Sequence, residues 1–282
     1  LELKVQIEKQ RKINPTIDGS LPIKVSNFVL AYVNHLVGDF YGPIMSQILI
    51  IYESWKDNNS NSNNNNNSDG NAIMVKDNNA TNISKKNCDR ALSRAVVKIV
   101  NALVFNLLEW ASSFKEEEPV LFHLFLCINY WYLWVNFQAS PKLKAMVGET
   151  WIKDKKQEAE NHMSLYMKEG WEKIVHNLNV STSTTFTGMS RASTRELLKS
   201  KLKAFNIAFE DLYEKHMKWV VPDAELKEKM CIKVVKCIVP SYRTYLQTYG
   251  PLLEQDGSKS KYEKYSAQDL ERVLTGLFQG RS

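Results

Sequence analysis

Three lysines in the C-terminal third of the sequence have the spacing of one helix face. Lys229, Lys233 and Lys236 stand at positions i, i+4 and i+7 of a stretch that follows a proline, Pro222. The apolar residues of the same stretch fall on the other side: Leu226, Met230, Cys231, Val234 and Val235. Ammonium groups above a packed face can bind anionic lipid headgroups, each contributing on the order of 1 kcal/mol. The alternative is a solvated face whose lysines only maintain solubility.

The same third of the chain holds most of the net positive charge. Residues 191–264 contain 15 Lys or Arg and 10 Asp or Glu, a net charge of +5. The whole chain has a formal net charge of +6, from 37 basic and 31 acidic residues. Such an excess permits a reversible, salt-sensitive contact with an anionic surface but does not require one.

Common catalytic and cofactor-binding motifs are absent from the sequence. It has no Gly-rich phosphate loop, dinucleotide fingerprint, nucleophile elbow or zinc-protease motif. His123 and Cys127 are four residues apart, but two ligands are too few for a metal site. Cys231 and Cys237 are interpreted as small core residues. We therefore predict a protein that is not an enzyme and that has no metal or other cofactor.

The composition predicts a mostly helical fold. Gly accounts for 11 of the 282 residues and Pro for 8, fewer than turn-rich β-folds and nucleotide-loop enzymes contain. Apolar residues at helical spacing predict roughly nine or ten helices and no strand. Ser193-x-x-Glu196 and Ser266-x-x-Asp269 have the pattern of capping boxes. Pro240 is expected to begin or kink a helix, and Gly250-Pro251 is expected to form a loop.

Changes in composition divide the chain into four parts. Residues 1–19 are predicted to be a connector, and residues 20–178 to be helical bundles. Residues 57–87 are rich in Asn and Ser and have too little apolar surface to bury, which predicts a disordered insertion. Residues 179–192 are expected to form a loop. Residues 193–282 are expected to form a C-terminal helical bundle with a basic, membrane-facing surface.

One segment, Val120 to Phe137, is apolar over nearly the length of a membrane span. His123, Asn129 and Asn136 interrupt it and no basic cluster precedes it, which favours a helix buried in a bundle. The chain begins at Leu1 without an initiator Met or a signal peptide. We therefore expect a fragment of a longer protein from a reducing, cytosolic setting.

Several blocks in the last third of the chain resemble one known family. They include Trp219-Val220-Val221-Pro222-Asp223, Pro240-Ser241-Tyr242-Arg243 and Tyr249-Gly250-Pro251-Leu252. Three more blocks occupy residues 203–210, 261–271 and 277–280. In residues, order and approximate spacing, these blocks resemble the C-terminal half of the Exo70 subunit of the exocyst, in its plant form. Weaker similarity continues upstream to residue 17.

The resemblance implies an all-α protein, an elongated rod of stacked antiparallel helical bundles. It also implies a non-enzymatic tether for secretory vesicles, cytoplasmic and peripherally recruited to the plasma membrane. The implied partners are other exocyst subunits, Rho-type small GTPases and membranes that contain phosphatidylinositol bisphosphate. A nucleic-acid partner is not expected, because most aromatic residues lie on the apolar sides of their helices. The implied lipid-binding residues are Lys199, Lys201, Lys203, Lys229, Lys233, Lys236, Arg243, Lys259, Lys261 and Lys264.

A second interpretation stays open beside the tether. In it, the chain is a helical scaffold or adaptor that binds acidic protein partners, for example in plant immunity, with little lipid binding. Two departures from the family pattern favour it: the Asn-rich insertion and the modest basic excess.

Overall fold

The computed structural model describes residues 24–61, 78–180, 190–254 and 263–280. Its elements are α1 Lys24–Leu36, α2 Tyr41–Asn61, α3 Asn78–Ser112, α4 Pro119–Ala139, α5 Pro141–Val147, α6 Glu149–Met167, a π-helical segment Lys168–Glu172, α7 Lys173–His176, α8 Arg191–Lys218, α9 Ala224–Glu254 and α10 Ala267–Thr275. These described residues contain no β-strand, only an isolated bridge between Val220 and Gln279. The predicted all-α class is confirmed.

The chain forms two compact units. Among the described residues, 24–109 and 133–156 belong to the first unit, and the others belong to the second. The basic segment that starts at Arg191 therefore lies in the second unit. The four-part division inferred from the sequence, with a C-terminal bundle from residue 193, stays a prediction.

Helix α4 is buried along most of its length. Its fully buried side chains include Leu121, Leu124, Phe125, Ile128 and Trp131. Within the described part of the chain, two stretches could cross a membrane by length and composition alone: Pro119–Ala139, which is α4, and Lys86–Ser112 within α3. The most apolar windows of these stretches are 67% and 39% buried, respectively. The burial of α4 agrees with the predicted core helix.

A histidine lies inside an aromatic cluster of the second unit. His216 of α8 is fully buried, and its ring centroid lies 4.3 Å from that of Trp219, 5.0 Å from Trp171 and 5.5 Å from Tyr166. Its Nδ1 donates a hydrogen bond of 2.6 Å to the carbonyl oxygen of Leu212. Its Nε2 has no hydrogen-bond partner within the described part of the chain. Burial lowers the pKa of His216 to about 3, so the ring is neutral.

One of the two predicted capping boxes is correct. Ser266 Oγ accepts the N–H of Asp269 at 3.1 Å, and Asp269 Oδ2 accepts the N–H of Ser266 at 3.3 Å. The box at Ser193 is wrong, because α8 begins at Arg191 and its N-cap is Ser190. An N-cap residue has an extended backbone, which Ser190 adopts with φ −67° and ψ 154°, whereas Ser193 is already helical.

Helix α9 continues through both of its prolines. Pro240 and Pro251 lie inside Ala224–Glu254, so Pro240 does not begin a helix and the predicted loop at Gly250-Pro251 is wrong. A proline inside a helix removes one backbone hydrogen bond and crowds the preceding turn. Buried side chains such as Tyr242 and Leu253 continue the packed face past the prolines, and the Tyr242 hydroxyl donates to the carbonyl oxygen of Tyr265 at 2.7 Å. Tertiary packing therefore outweighs the local cost.

Both ends of the predicted insertion, residues 57–87, belong to the helices that flank it. Helix α2 extends to Asn61 and α3 begins at Asn78, so residues 57–61 and 78–87 are helical. Residues 62–77 lie outside the described residues, as do the predicted connector at 1–19 and residues 181–189 of the predicted loop.

Candidate lipid-binding surface

The start of α9 is fixed by a single carboxylate. Asp223 Oδ1 accepts the backbone N–H of Leu226 at 2.7 Å and the indole N–H of Trp131 at 3.1 Å. From there, α9 buries a residue every three or four positions, including Leu226, Met230, Val234 and Ile238. Packing of this stripe turns the opposite side of α9 towards the solvent.

Four basic residues of α9 lie on its solvent-facing side, and we call them the basic ridge: Lys229, Lys233, Lys236 and Arg243. At 100° per residue they fall within about 80° of the helix circumference. Lys233, Lys236 and Arg243 are exposed and make no ion pair with another described residue. At 1.5 Å per residue, these three cover about 15 Å of the helix. An elongated anionic surface can therefore contact all three.

Lys229 differs from the other ridge residues because it has partners within the second unit. Its Nζ lies 3.1 Å from Oε1 of Glu160 and 5.1 Å from the ring centroid of Trp131. Its side chain is 36% exposed. A ligand must compete with Glu160 for this ammonium group. The three lysines that the sequence presents as equivalent therefore differ in accessibility.

An open groove runs beside the ridge. Lys229, Lys233 and Lys236 line it together with Glu225, Glu228 and Ile232. Ile232 is 44% exposed, so the groove has an accessible apolar side chain among its charged residues. The surface around the ridge is therefore mixed in charge and has an apolar centre.

A second groove lies between α9 and α10. It shares Glu228, Ile232 and Lys236 with the first groove and adds Lys227, Cys231, Val235, Glu271 and Thr275. Burial raises the pKa of the Cys231 thiol, so this thiol is protonated at neutral pH. The groove thus has an apolar floor with basic and acidic residues at its edges.

The acidic and apolar lining residues are absent from the predicted set of site residues. The sequence does contain a signal for them. Glu225 precedes Lys229 by four residues, the spacing at which side chains on a helix interact. Ile232 stands directly before Lys233, where a purely electrostatic surface would have a polar residue.

The remaining predicted residues that the structure describes do not line either groove. On α8, Lys199 is buried and pairs with Glu196 at 3.0 Å, whereas Lys201 is half-buried and Lys203 is exposed. Lys264 Nζ lies 2.5 Å from Oε1 of Glu210. Lys259 and Lys261 lie outside the described residues. The structure thus places the four α9 residues on one face, whereas the other predicted lysines that it describes have different surroundings.

Comparisons with known proteins identify similar chains. A family model for the C-terminal region of the Exo70 exocyst complex subunit matches residues 1–276. The chain is 28% identical to exocyst complex component EXO70A1 of Arabidopsis thaliana, over 98% of this chain and 39% of that protein. It is 29% identical to EXO70A3 of Arabidopsis thaliana, over 69% of this chain and 33% of the relative. Human exocyst complex component 7 is 25% identical, over 73% of this chain and 28% of its own length. The chain thus spans about two fifths or less of the length of these relatives.

Proposed function

Because the chain belongs to the family of Exo70 exocyst complex subunits, through their C-terminal region, we propose that it acts within a non-enzymatic exocyst subunit. In this role it helps to tether secretory vesicles during exocytosis, in the cytoplasm and at the plasma membrane. Its protein partners are other exocyst subunits and Rho-type small GTPases. The family match over residues 1–276 carries this proposal. Pull-down of the purified chain with recombinant plant exocyst subunits tests it, and failure to bind any of them contradicts it.

We further propose that the basic ridge of α9 contacts phosphatidylinositol bisphosphate in the membrane. The observation that supports it is the exposure of Lys233, Lys236 and Arg243 on one side of the helix, without ion pairs to described residues. Basic residues close to an anionic membrane contribute about 1 kcal/mol each. Glu225 and Glu228 in the adjoining groove reduce this attraction. The contact is therefore reversible and sensitive to salt.

Charge reversal at the exposed part of the ridge tests the lipid contact. The triple variant Lys233→Glu, Lys236→Glu, Arg243→Glu removes three contacts, for a loss of about 3 kcal/mol and a roughly hundredfold weaker affinity. Folding should persist, because exposed substitutions usually change stability by less than about 0.5 kcal/mol. The affinity is measured by flotation with phosphatidylcholine vesicles that contain or lack phosphatidylinositol bisphosphate, at low and high salt.

A matched control separates the ridge from overall charge. The variant Lys98→Glu, Lys153→Glu, Lys168→Glu changes the net charge by the same amount at three exposed positions that belong to other helical segments than α9. We expect this control to keep most of the lipid affinity. Equal losses in the two variants would show that only overall charge matters, and the proposed site would then be wrong.

The scaffold interpretation is supported by a different observation. Glu228, Glu271 and Lys236 surround the apolar floor of the groove between α9 and α10, a combination suited to a protein surface. In this function the chain binds a protein partner at the groove and has little affinity for lipid. Flotation that is absent or independent of phosphatidylinositol bisphosphate favours it over the lipid contact.

A further inference from the structure

Helix α2 exposes an uncharged apolar face in the first unit. Tyr41, Ile44, Ile48, Tyr52 and Trp55 are 42%, 49%, 51%, 62% and 67% exposed, and we call these five residues the α2 stripe. Residues 40–52 contain no Asp, Glu, Lys or Arg. Monomeric proteins rarely leave a large continuous apolar patch in water, and such patches mark interaction surfaces.

The residues of the α2 stripe have the same spacing in both directions from Ile48. Tyr41 and Trp55 lie seven residues before and after it, and Ile44 and Tyr52 lie four residues before and after it. At 100° and 1.5 Å per residue, the five positions cover about 80° of the circumference and about 21 Å of the helix. The stripe is therefore close to symmetric about its central isoleucine.

This symmetry meets the requirement of a two-fold interface, in which the same surface of both copies must be complementary to itself. When two copies of α2 pair antiparallel with the axis at Ile48, Tyr41 lies against the partner's Trp55. Ile44 then lies against the partner's Tyr52. Aromatic side chains meet at both ends of the contact, and the two central isoleucines meet each other.

The exposed area is also of the size that a dimer needs. With about 150–250 Å² for each aromatic residue, the exposed fractions leave roughly 600 Å² of side-chain surface per copy. Burial of the stripe in both copies removes about 1,200 Å², the lower end of the range for specific interfaces. The absence of charge from residues 40–52 disfavours an acidic partner or a lipid headgroup, since neither would find a cation on the stripe.

We propose that the α2 stripe is a self-association surface, at which two copies of this chain pair antiparallel across Ile48. The pairing is independent of the proposed lipid contact, because the stripe belongs to the first unit and the basic ridge to the second. The proposed dimer holds two copies of the basic ridge, one from each chain, and in this way the pairing extends the proposed function.

The molar mass in solution tests this proposal. We expect the wild-type chain to be dimeric at about 100 µM and to dissociate on dilution, as an interface of this size predicts. Ile48→Glu places two carboxylates against each other at the axis and should weaken the dimer at least a hundredfold. Ile207→Glu is the matched control, because Ile207 is an exposed isoleucine of α8 at 52% and lies in the second unit. Light scattering after size exclusion measures the mass, and circular dichroism confirms that each variant is folded.

A pair of complementary charges tests the antiparallel register. Ile44→Lys and Tyr52→Glu should each weaken the dimer, whereas the double variant should regain affinity because each lysine faces the partner's new carboxylate. The two positions are eight residues apart, too far to pair along one helix. A wild-type chain that stays monomeric at about 100 µM, or a dimer that survives Ile48→Glu, overturns the proposal. A double variant that binds no better than the single variants overturns the antiparallel pairing.

Discussion

Acidification is expected to destabilise the second unit through His216. This ring is fully buried among Trp171, Trp219 and Tyr166, and burial lowers its pKa to about 3. In the unfolded chain the same side chain has the ordinary pKa of 6.5. Below pH 6.5 the unfolded state therefore binds a proton that the folded state does not bind. The free energy of unfolding consequently falls as the pH drops from 6.5 towards 3.

The size of this effect follows from the two pKa values. Between pH 7.5 and pH 5, His216 alone should lower the free energy of unfolding by about 2 kcal/mol. Burial also lowers the pKa of His162, to about 4, which acts in the same direction over this interval.

The substitution His216→Phe isolates this contribution. Phenylalanine keeps an aromatic ring in the cluster and removes the titrating group, so the variant should lose about 2 kcal/mol less than the wild type between pH 7.5 and pH 5. Urea unfolding followed by circular dichroism at several pH values measures the difference. His162 and the carboxylates are present in both proteins, and their effects cancel in the comparison.

The control is His176→Gln, which removes an exposed histidine from α7. Its pH dependence should match that of the wild type. If His216→Phe also matches the wild type within about 0.5 kcal/mol, the assignment of a buried neutral His216 is refuted.

The contacts of Lys229 and Gly280 give two further predictions. Lys229→Glu removes the ion pair with Glu160 and the contact with Trp131, so it should lower the free energy of unfolding by about 1–2 kcal/mol. Urea titration measures this, and unchanged stability would show that the partners of Lys229 contribute nothing. Gly280→Ala should lower the free energy of unfolding by about 2–3 kcal/mol, because Gly280 has φ +67° and a Cβ there would lie 2.6 Å from Cγ2 of Val220. Gly148→Ala, at φ +84° in open space, should lower the free energy of unfolding by only about 1 kcal/mol. Thermal melting of both glycine variants measures the difference, and equal losses would contradict a clash at Gly280.

The sequence predicts the helices well where one face is buried. The spacing of Leu226, Met230 and Val234 gives both the existence of α9 and the side that faces the solvent, since burial repeats with the helical period. The family blocks around Trp219 and Pro240 led to the family that the comparison over residues 1–276 confirms.

Predictions from local sequence patterns are wrong where contacts between residues far apart in the sequence determine the structure. Pro240 predicts the beginning or a kink of a helix, yet α9 starts 16 residues before it. Tyr242 and Tyr245 continue the buried face beyond the proline, and the Tyr245 hydroxyl donates to the carbonyl oxygen of Leu198 at 2.7 Å. The pairing of Lys229 with Glu160 joins residues 69 positions apart, and no local spacing indicates it. The identity of the lipid-binding residues therefore stays a prediction, although the shared face of the α9 residues follows from their spacing.

The prolines of α9 interrupt its backbone hydrogen-bond ladder at two points. Pro240 and Pro251 have no N–H to donate to the carbonyl oxygens of Lys236 and Gln247. Both prolines are exposed and lie, by helix geometry, on the same side as the basic ridge. Water can therefore hydrate these two carbonyl groups, while the buried side of α9 stays continuous. In hydrogen–deuterium exchange, α9 should behave as three segments, with the fastest exchange beside the two gaps and the slowest in the turns that carry Met230 and Val234.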